Sequence, residues 1–278
     1  FIRQIEYFVR NFEIISLKEA VKRFNQNFNF DRQLVITTDD GFEENFSQIF
    51  PILRRYKLPA TLFLIENAID NKSLMWRHAI FVLIEEFGIK RVEREFDGII
   101  CDMNLAKDNR YSSILDFSFR SLPQNLKEGV IDMLWDRLCP SSQSDYLLKE
   151  QPYLDSKQIE EMLNSNIEIG CHSKSHPNFE LLGNDSIIEE SIISSQRLQE
   201  KFKTEIFSFS FPFQRSSHAT TVLTNVEKKF SVLLGTRETL ASNRKNPLYW
   251  ERINLETENY KIHLALLPFN NSFRRKRN

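Results

Sequence analysis

The period of apolar positions switches repeatedly along the chain. Leu17, Ala20, Val21 and Phe24 recur at helix spacing, and Ser16 stands three residues before Glu19 as a cap should, so residues 1–28 read as helical. Residues 25–32 are polar and Asn-rich, the composition of a loop. The β-branched run from Gln33 to Thr38 predicts a buried strand that ends on Asp39-Asp40-Gly41. Helical period returns over residues 43–56 through Phe46, Ile49, Ile52 and Leu53, with Pro51 marking a kink or a break between two helices. Behind Pro59, Ala60-Thr61-Leu62-Phe63-Leu64-Ile65 predicts a second strand, and strand–helix–strand is the unit of a parallel sheet.

From about residue 67 to 152 the alternation lapses. Amphipathic helices are predicted over residues 74–87 and 126–138, with polar, turn-rich stretches between them. No Gly/Ser or Pro linker sets this region off, so it reads as a helical insertion packed on one domain spanning 1–278. The pattern then resumes. Asp155-Ser156 caps a helix over 157–163, Ile167-Glu168-Ile169-Gly170-Cys171 is a strand, and 185–202 a long helix. Strands over 206–211, 231–235 and 249–255, with a helix over 219–229, complete the alternation. Such a succession predicts an α/β fold, either a (β/α) barrel or a doubly wound sheet, and in both the chemistry gathers where the strands end.

Composition narrows the function. The 37 Lys+Arg nearly cancel the 38 Asp+Glu, which argues against nucleic acid or an anionic membrane as partner; the basic run Arg274-Arg275-Lys276-Arg277 reads as a solvated tail. No apolar run is long enough to span a bilayer and no signal-peptide pattern opens the chain, although it begins on Phe1 rather than Met, which leaves room for a preceding signal or anchor. Cys101, Cys139 and Cys171 form neither a disulfide framework nor a metal knuckle, and free thiols lean the reading toward the cytoplasm. With no Gly-rich phosphate loop, nucleotide binding by those routes is not expected.

The unusual polar residues fall at strand ends. Asp39-Asp40 follows one strand, His172 and His176 another, and the segment after Phe211-Pro212-Phe213 a third. Alone, Asp-Asp-Gly reads as a turn with a helix cap, and the His spacing is moderate evidence. Together, two histidines and a carboxylate on one face would make a set able to hold Zn²⁺ or a similar divalent ion. Such an ion lowers the pKa of water and polarises a carbonyl, and the second aspartate could act as base. Residue types and spacing alone leave the reaction open.

The run Leu34-Val35-Ile36-Thr37-Thr38-Asp39-Asp40-Gly41-Phe42 resembles the first motif of the polysaccharide deacetylase (NodB-homology) family of carbohydrate esterases. Glu168-Ile169-Gly170-Cys171-His172-Ser173-Lys174-Ser175-His176-Pro177 resembles its second. The stretch Ile52-Leu53-Arg54-Arg55-Tyr56-Lys57-Leu58-Pro59-Ala60-Thr61-Leu62-Phe63 is similar to the text between them. Phe209-Ser210-Phe211-Pro212-Phe213-Gln214 resembles a third motif, and Trp250-Glu251-Arg252-Ile253-Asn254 a later Arg-Ile segment.

The resemblance implies a distorted (β/α) barrel and metal-dependent removal of the N-acetyl group from an N-acetylhexosamine unit of a glycan or glycan precursor. It implies Asp39 as base and Asp40, His172 and His176 as ligands of a divalent metal, Zn foremost with Co, Ni or Mn as alternates. Pro212 and Phe213 fall in the substrate and oxyanion segment, where the Phe213 N–H would serve irrespective of its side chain.

Departures from the motifs accompany it. Thr38 replaces an aromatic, a change expected not to reach the metal, and Ser210 stands where many members carry an arginine that orients the base. Arg252 is the candidate replacement, against a reading in which it pairs with a surface carboxylate. His263 is the candidate general acid by order along the chain, while His78 and His218 read as surface or packing residues. Trp76, Phe81 and Trp135 could wall a sugar groove but at helical spacing read as core. Two rival functions share this site: a carbohydrate-binding homologue without turnover, and an O-deacetylase.

Overall fold

In the computed structural model the described residues are 1–28, 32–105, 113–213, 226–235 and 249–255. Helix α1 (Ile2–Asn11), strand β1 (Glu13–Ile14) and helix α2 (Leu17–Asn25) open the chain, with Ser16 accepting from the Glu19 N–H as its sequence position predicts. The expected continuous helix is therefore broken. Phe12 is extended because β1 pairs in parallel with β2 (Gln33–Leu34), a contact that local periodicity does not encode. The strand expected over Gln33–Thr38 is likewise two: β2 belongs to this small sheet, and β3 (Thr37–Thr38) opens the main one.

A π-helical turn, Asn45–Ile49, leads into α3 (Phe50–Tyr56), where Pro51 sits in the first turn and its missing N–H is not needed. Strand β4 (Ala60–Leu64) is buried at every position, as a strand covered on both faces must be. The following region holds α4 (Trp76–Phe87), α5 (Ile89–Asp102), α6 (Ile114–Arg120), α7 (Gln124–Leu138) and α8 (Gln143–Glu150). It is more helical than expected: α5 buries Val92, Phe96, Ile99 and Ile100, a helical stripe within a stretch read as turn-rich. Together these helices bury a hydrophobic cluster that includes Ile80, Leu83, Phe96, Leu134 and Trp135.

Asp155 then caps α9 (Ser156–Leu163) in a capping box with Gln158, and β5 (Ile167–Cys171) follows. Helix α10 (Asn184–Ile188), a π-helical turn (Glu189–Ile193) and α11 (Ser194–Phe202) form the long helical run, after which come β6 (Ser208–Ser210), β7 (Val232–Gly235) and β8 (Tyr249–Glu251). The last strands are shorter than predicted. Residues 219–225 of the expected helix lie outside the described residues, as do His218 and His263.

Six strands pair in parallel in the order β3-β4-β5-β6-β7-β8. A doubly wound sheet reverses its order at a switch point; this one never does, and curls instead as part of a (β/α) barrel. The main core fills the space between sheet and helices with residues such as Leu62, Leu64, Ile169, Phe209, Phe211 and Leu198. Gly170 serves a packing need, because a Cβ there would collide with the ring of Phe63 and the hydroxyl of Ser208. Since all strands run one way, their C-terminal ends share one rim of the sheet.

Candidate functional site

Three loops leave that rim after β3, β5 and β6, and each bends through left-handed backbone. Asp40, Ser173, His176 and Phe213 have φ of 70°, 73°, 57° and 62°, with Gly41 at 78°. Each such non-glycine conformation costs about 1–2 kcal/mol. A side chain at Gly41 would also press on Leu64, so the turn after Asp40 requires glycine.

The loop after β5 is held from several sides. The His172 N–H donates to the Leu64 carbonyl at 2.8 Å, and the His176 N–H to the Ser173 hydroxyl at 2.9 Å. Glu190, buried and carried inward by the π-helical turn, accepts from the Lys174 N–H (2.9 Å), the Ser175 N–H (2.8 Å) and the Ser175 hydroxyl (2.7 Å). From α4, the Trp76 indole N–H donates to the His176 carbonyl at 3.0 Å. Sequence reading missed both of these supports. Glu190 could have been flagged as an acid on the buried face of an amphipathic helix; the Trp76 bond has no sequence signal.

The loops bring Asp39, Asp40, His172 and His176 together. Nε2 of His172 and Nε2 of His176 each lie 3.3 Å from Asp40 Oδ1, and His172 Nε2 lies 3.7 Å from Asp39 Oδ2. The Ser210 carbonyl, 2.8 Å from His172 Nδ1, can only accept, so that nitrogen carries a proton, and in the neutral ring Nε2 presents its lone pair to Asp40. Asp40 Oδ1 is buried with no hydrogen-bond donor among the described residues, and the three ligand atoms lie within 4.8 Å of one another. Converging lone pairs repel unless a cation lies among them. Two imidazoles and a carboxylate are a donor set that suits a divalent transition metal, so these residues fit one.

Burial alone would lower the His172 pKa, but the Asp39 and Asp40 carboxylates outweigh it and raise it. Burial wins at His176 and takes it down to about 4. The His176 ring has no partner for Nδ1 among the described residues; it makes T-shaped contacts with Phe213 at 4.7 Å and with His172 at 5.0 Å.

Asp39 is gripped by Arg252, from just beyond β8. The guanidinium donates to Asp39 Oδ1 at 2.7 Å and Oδ2 at 2.6 Å, to the Ser210 hydroxyl at 2.7 Å, to Thr37 Oγ1 at 3.2 Å and to the Gly235 carbonyl at 3.2 Å. The carboxylate facing Arg252 is thus Asp39, not a surface group, and Ser210 helps hold the arginine. Burial pushes the Asp39 carboxyl up, yet the Arg252 charge and its bonds, with the two histidines, bring it to about 2.

The remaining candidates scatter. Pro212 is buried and Phe213 half-buried beside His176 and Trp76. Trp135 is core, its indole donating to the Ser141 carbonyl, whereas Phe81 is 45% exposed and so is not the core residue its spacing suggested. His78 packs edge-on against Phe42 at 5.2 Å with Nδ1 2.8 Å from the Tyr153 hydroxyl. Burial lowers its pKa against the pull of Asp40, which places it within electrostatic range of the site.

The model of the family described as polysaccharide deacetylase matches residues 29–230. The chain belongs to the polysaccharide deacetylase family. A relative named as a polysaccharide deacetylase, YxkH of Bacillus subtilis (strain 168), is 31% identical over 62 residues, a match covering 22% of each chain. Among solved structures, IcaB from Ammonifex degensii superposes with a TM-score of 0.59 at 14% identity, over 95% of this chain and 86% of that one. The Streptococcus pyogenes deacetylase PplD, solved in complex with acetate, superposes with a TM-score of 0.58 at 15% identity, over 93% and 80%. At such identities these structures establish the shared deacetylase fold. Among the described residues no helix is long and apolar enough to cross a membrane.

Proposed function

We propose that this polysaccharide deacetylase is a divalent-metal-dependent hydrolase that removes the N-acetyl group from an N-acetylhexosamine unit of a glycan or glycan precursor. The observation that carries the reading is the Asp39–Arg252 ion pair set beside the Asp40–His172–His176 cluster. One carboxylate faces a cation site, and the other is tied to an arginine next to it. Asp40 and the Nε2 atoms of both histidines would hold the ion, with Zn foremost and Co, Ni or Mn as alternates. When bound, it would polarise an amide carbonyl and lower the pKa of water.

The chain's own residues supply the rest. Asp39 is ionised at neutral pH because Arg252 holds its pKa at about 2. It accepts the proton of the water that attacks the acetyl carbonyl. Arg252, itself fixed by Ser210, Thr37 and Gly235, keeps the Asp39 oxygens from turning away. The Phe213 N–H donates to the carbonyl oxygen as it gains negative charge. The departing amine takes a proton, a role that chain order gives to His263. Asp40, whose carboxyl is pushed up by burial but lowered further by His172 and His176, stays a carboxylate throughout.

The test is acetate release from N-acetylglucosamine oligomers by zinc-reconstituted protein, beside Asp39→Asn and beside O-acetylated oligomers. Asp39→Asn is expected to reduce release from the N-acetyl substrate by about 10²–10⁴-fold, the worth of a general base. Release confined to the O-acetylated substrate would give the chain to ester hydrolysis. Binding without release from either would leave a carbohydrate-binding protein.

A further inference from the structure

The first turn of α4 carries Trp76-Arg77-His78 to the rim of the site. Trp76 is bonded to His176 and packs near Phe213, and Phe213 meets the His176 ring in a T-shaped contact. Arg77, the next residue after Trp76, lays its guanidinium over the Phe213 ring at 5.4 Å and over the Phe81 ring at 5.5 Å. Only one aromatic ring separates it from a candidate metal ligand, and its charge is felt at His176. Among the described residues no carboxylate pairs with Arg77 and no hydrogen bond uses its N–H groups, whereas Arg54, Arg137 and Arg197 each have an acidic partner.

We propose that Arg77 reads an anionic substituent, a carboxylate or a phosphate ester, on the sugar whose acetamido group enters the site. This inference rests on the deacetylase reading above. A guanidinium is a planar fork matched to carboxylate and phosphate oxygens. Held over two rings, this one gives up little further freedom on binding. The rings also take part of its hydration, and an anion restores that loss better than a neutral hydroxyl. Among the described residues neither site aspartate competes for it, since Asp39 is already neutralised by Arg252 and Asp40 faces the cation position. Lys127, buried behind Trp76 with its ammonium 4.5 Å from that ring, adds positive potential to the same wall.

The experiment compares three probes on zinc-reconstituted protein: neutral N-acetylglucosamine oligomers, oligomers in which that unit alternates with glucuronate, and N-acetylglucosamine 6-phosphate. The readout is the acidic-to-neutral ratio of kcat/KM, in which any general loss of folded enzyme cancels. The wild type should favour one acidic probe, the choice of probe naming the anion. Arg77→Gln should lower that ratio by about 10–100-fold, the value of a charge-assisted hydrogen bond. A ratio that Arg77→Gln leaves unchanged, or a wild type that favours the neutral oligomer, overturns the proposal. Calorimetric binding of the same probes to Asp39→Asn, with and without Arg77→Gln, separates the two readings. Acetate release without acid-selective binding or turnover retires the anion site alone. Acid-selective binding that Arg77→Gln removes, with no acetate from any probe, retires the deacetylase reading alone. Neither acid-selective binding nor acetate retires both.

Discussion

Replacing Arg252 with methionine leaves Asp39 where burial put it and removes its main counter-charge. In the intact protein burial pushes this carboxyl up, while Arg252 and the histidines bring it from 3.8 to about 2. A folded pKa below the unfolded one contributes stability that is complete above the unfolded value and is lost as pH falls through the folded one. For Asp39 that contribution is about 2 kcal/mol at neutral pH, with roughly half gone by pH 3. Arg252→Met also leaves Ser210, Thr37 and the Gly235 carbonyl without their donor. Breaking a buried ion pair from one side costs about 3–5 kcal/mol, and the 26% exposure of the Asp39 side chain places this pair at the lower end. The assay is urea unfolding of EDTA-treated wild type, Asp39→Asn, Arg252→Met and the double variant at pH 7 and pH 4. A loss of about 3 kcal/mol is expected for Arg252→Met, with a coupling to Asp39 of about 2 kcal/mol at pH 7 that weakens toward acid. Additivity within about 0.5 kcal/mol would refute the reasoning, because two groups joined by two short charged bonds cannot be independent.

Glu190→Leu strands the donors of residues 174 and 175 and should cost about 3 kcal/mol in urea unfolding while weakening zinc binding; Glu190→Gln, which keeps an acceptor, should retain most of both, and equal losses in the two variants would deny the loop-holding role. Lys127→Met should stabilise. Burial takes the Lys127 ammonium down to about 8, so its charged form opposes folding below pH 8 and the penalty vanishes above about 10.5. Less the attraction of Trp76, the gain should be about 1–2 kcal/mol at pH 7 and near zero at pH 10.5, and a lower urea midpoint at pH 7 would contradict it. His172→Gln should lose zinc to a chelator that the EDTA-treated, zinc-reloaded wild type resists, and undiminished zinc retention would remove His172 from the ligand set.

Much of this architecture is written locally. Runs such as Ala60–Leu64 and Ile167–Cys171 are mostly apolar because nearly all their positions are covered, so composition marks them as strands. Ser16 and Asp155 announce helix starts because the cap bonds a backbone N–H only three residues on. Asp39-Asp40 and His172/His176 are legible for a related reason: each pair falls within one short segment, and each follows a strand whose end must lie on the shared rim. Periodicity reports which face of a segment is buried, but not what buries it. The break at Phe12 depends on pairing with a strand about twenty residues away, a bond that no local pattern carries. Arg252 reaches Asp39 across 213 positions, and Trp76 reaches His176 across 100. Ser210, which looked like a missing arginine, turns out to hold an arginine supplied from just beyond another strand. Sequence by itself determined most strands of the main sheet, the capped helix starts and the four acid and histidine groups at the strand ends. Only the tertiary structure decided what grips them, because hydrogen-bond partners at this range are chosen by the packing of whole elements rather than by the residues beside them.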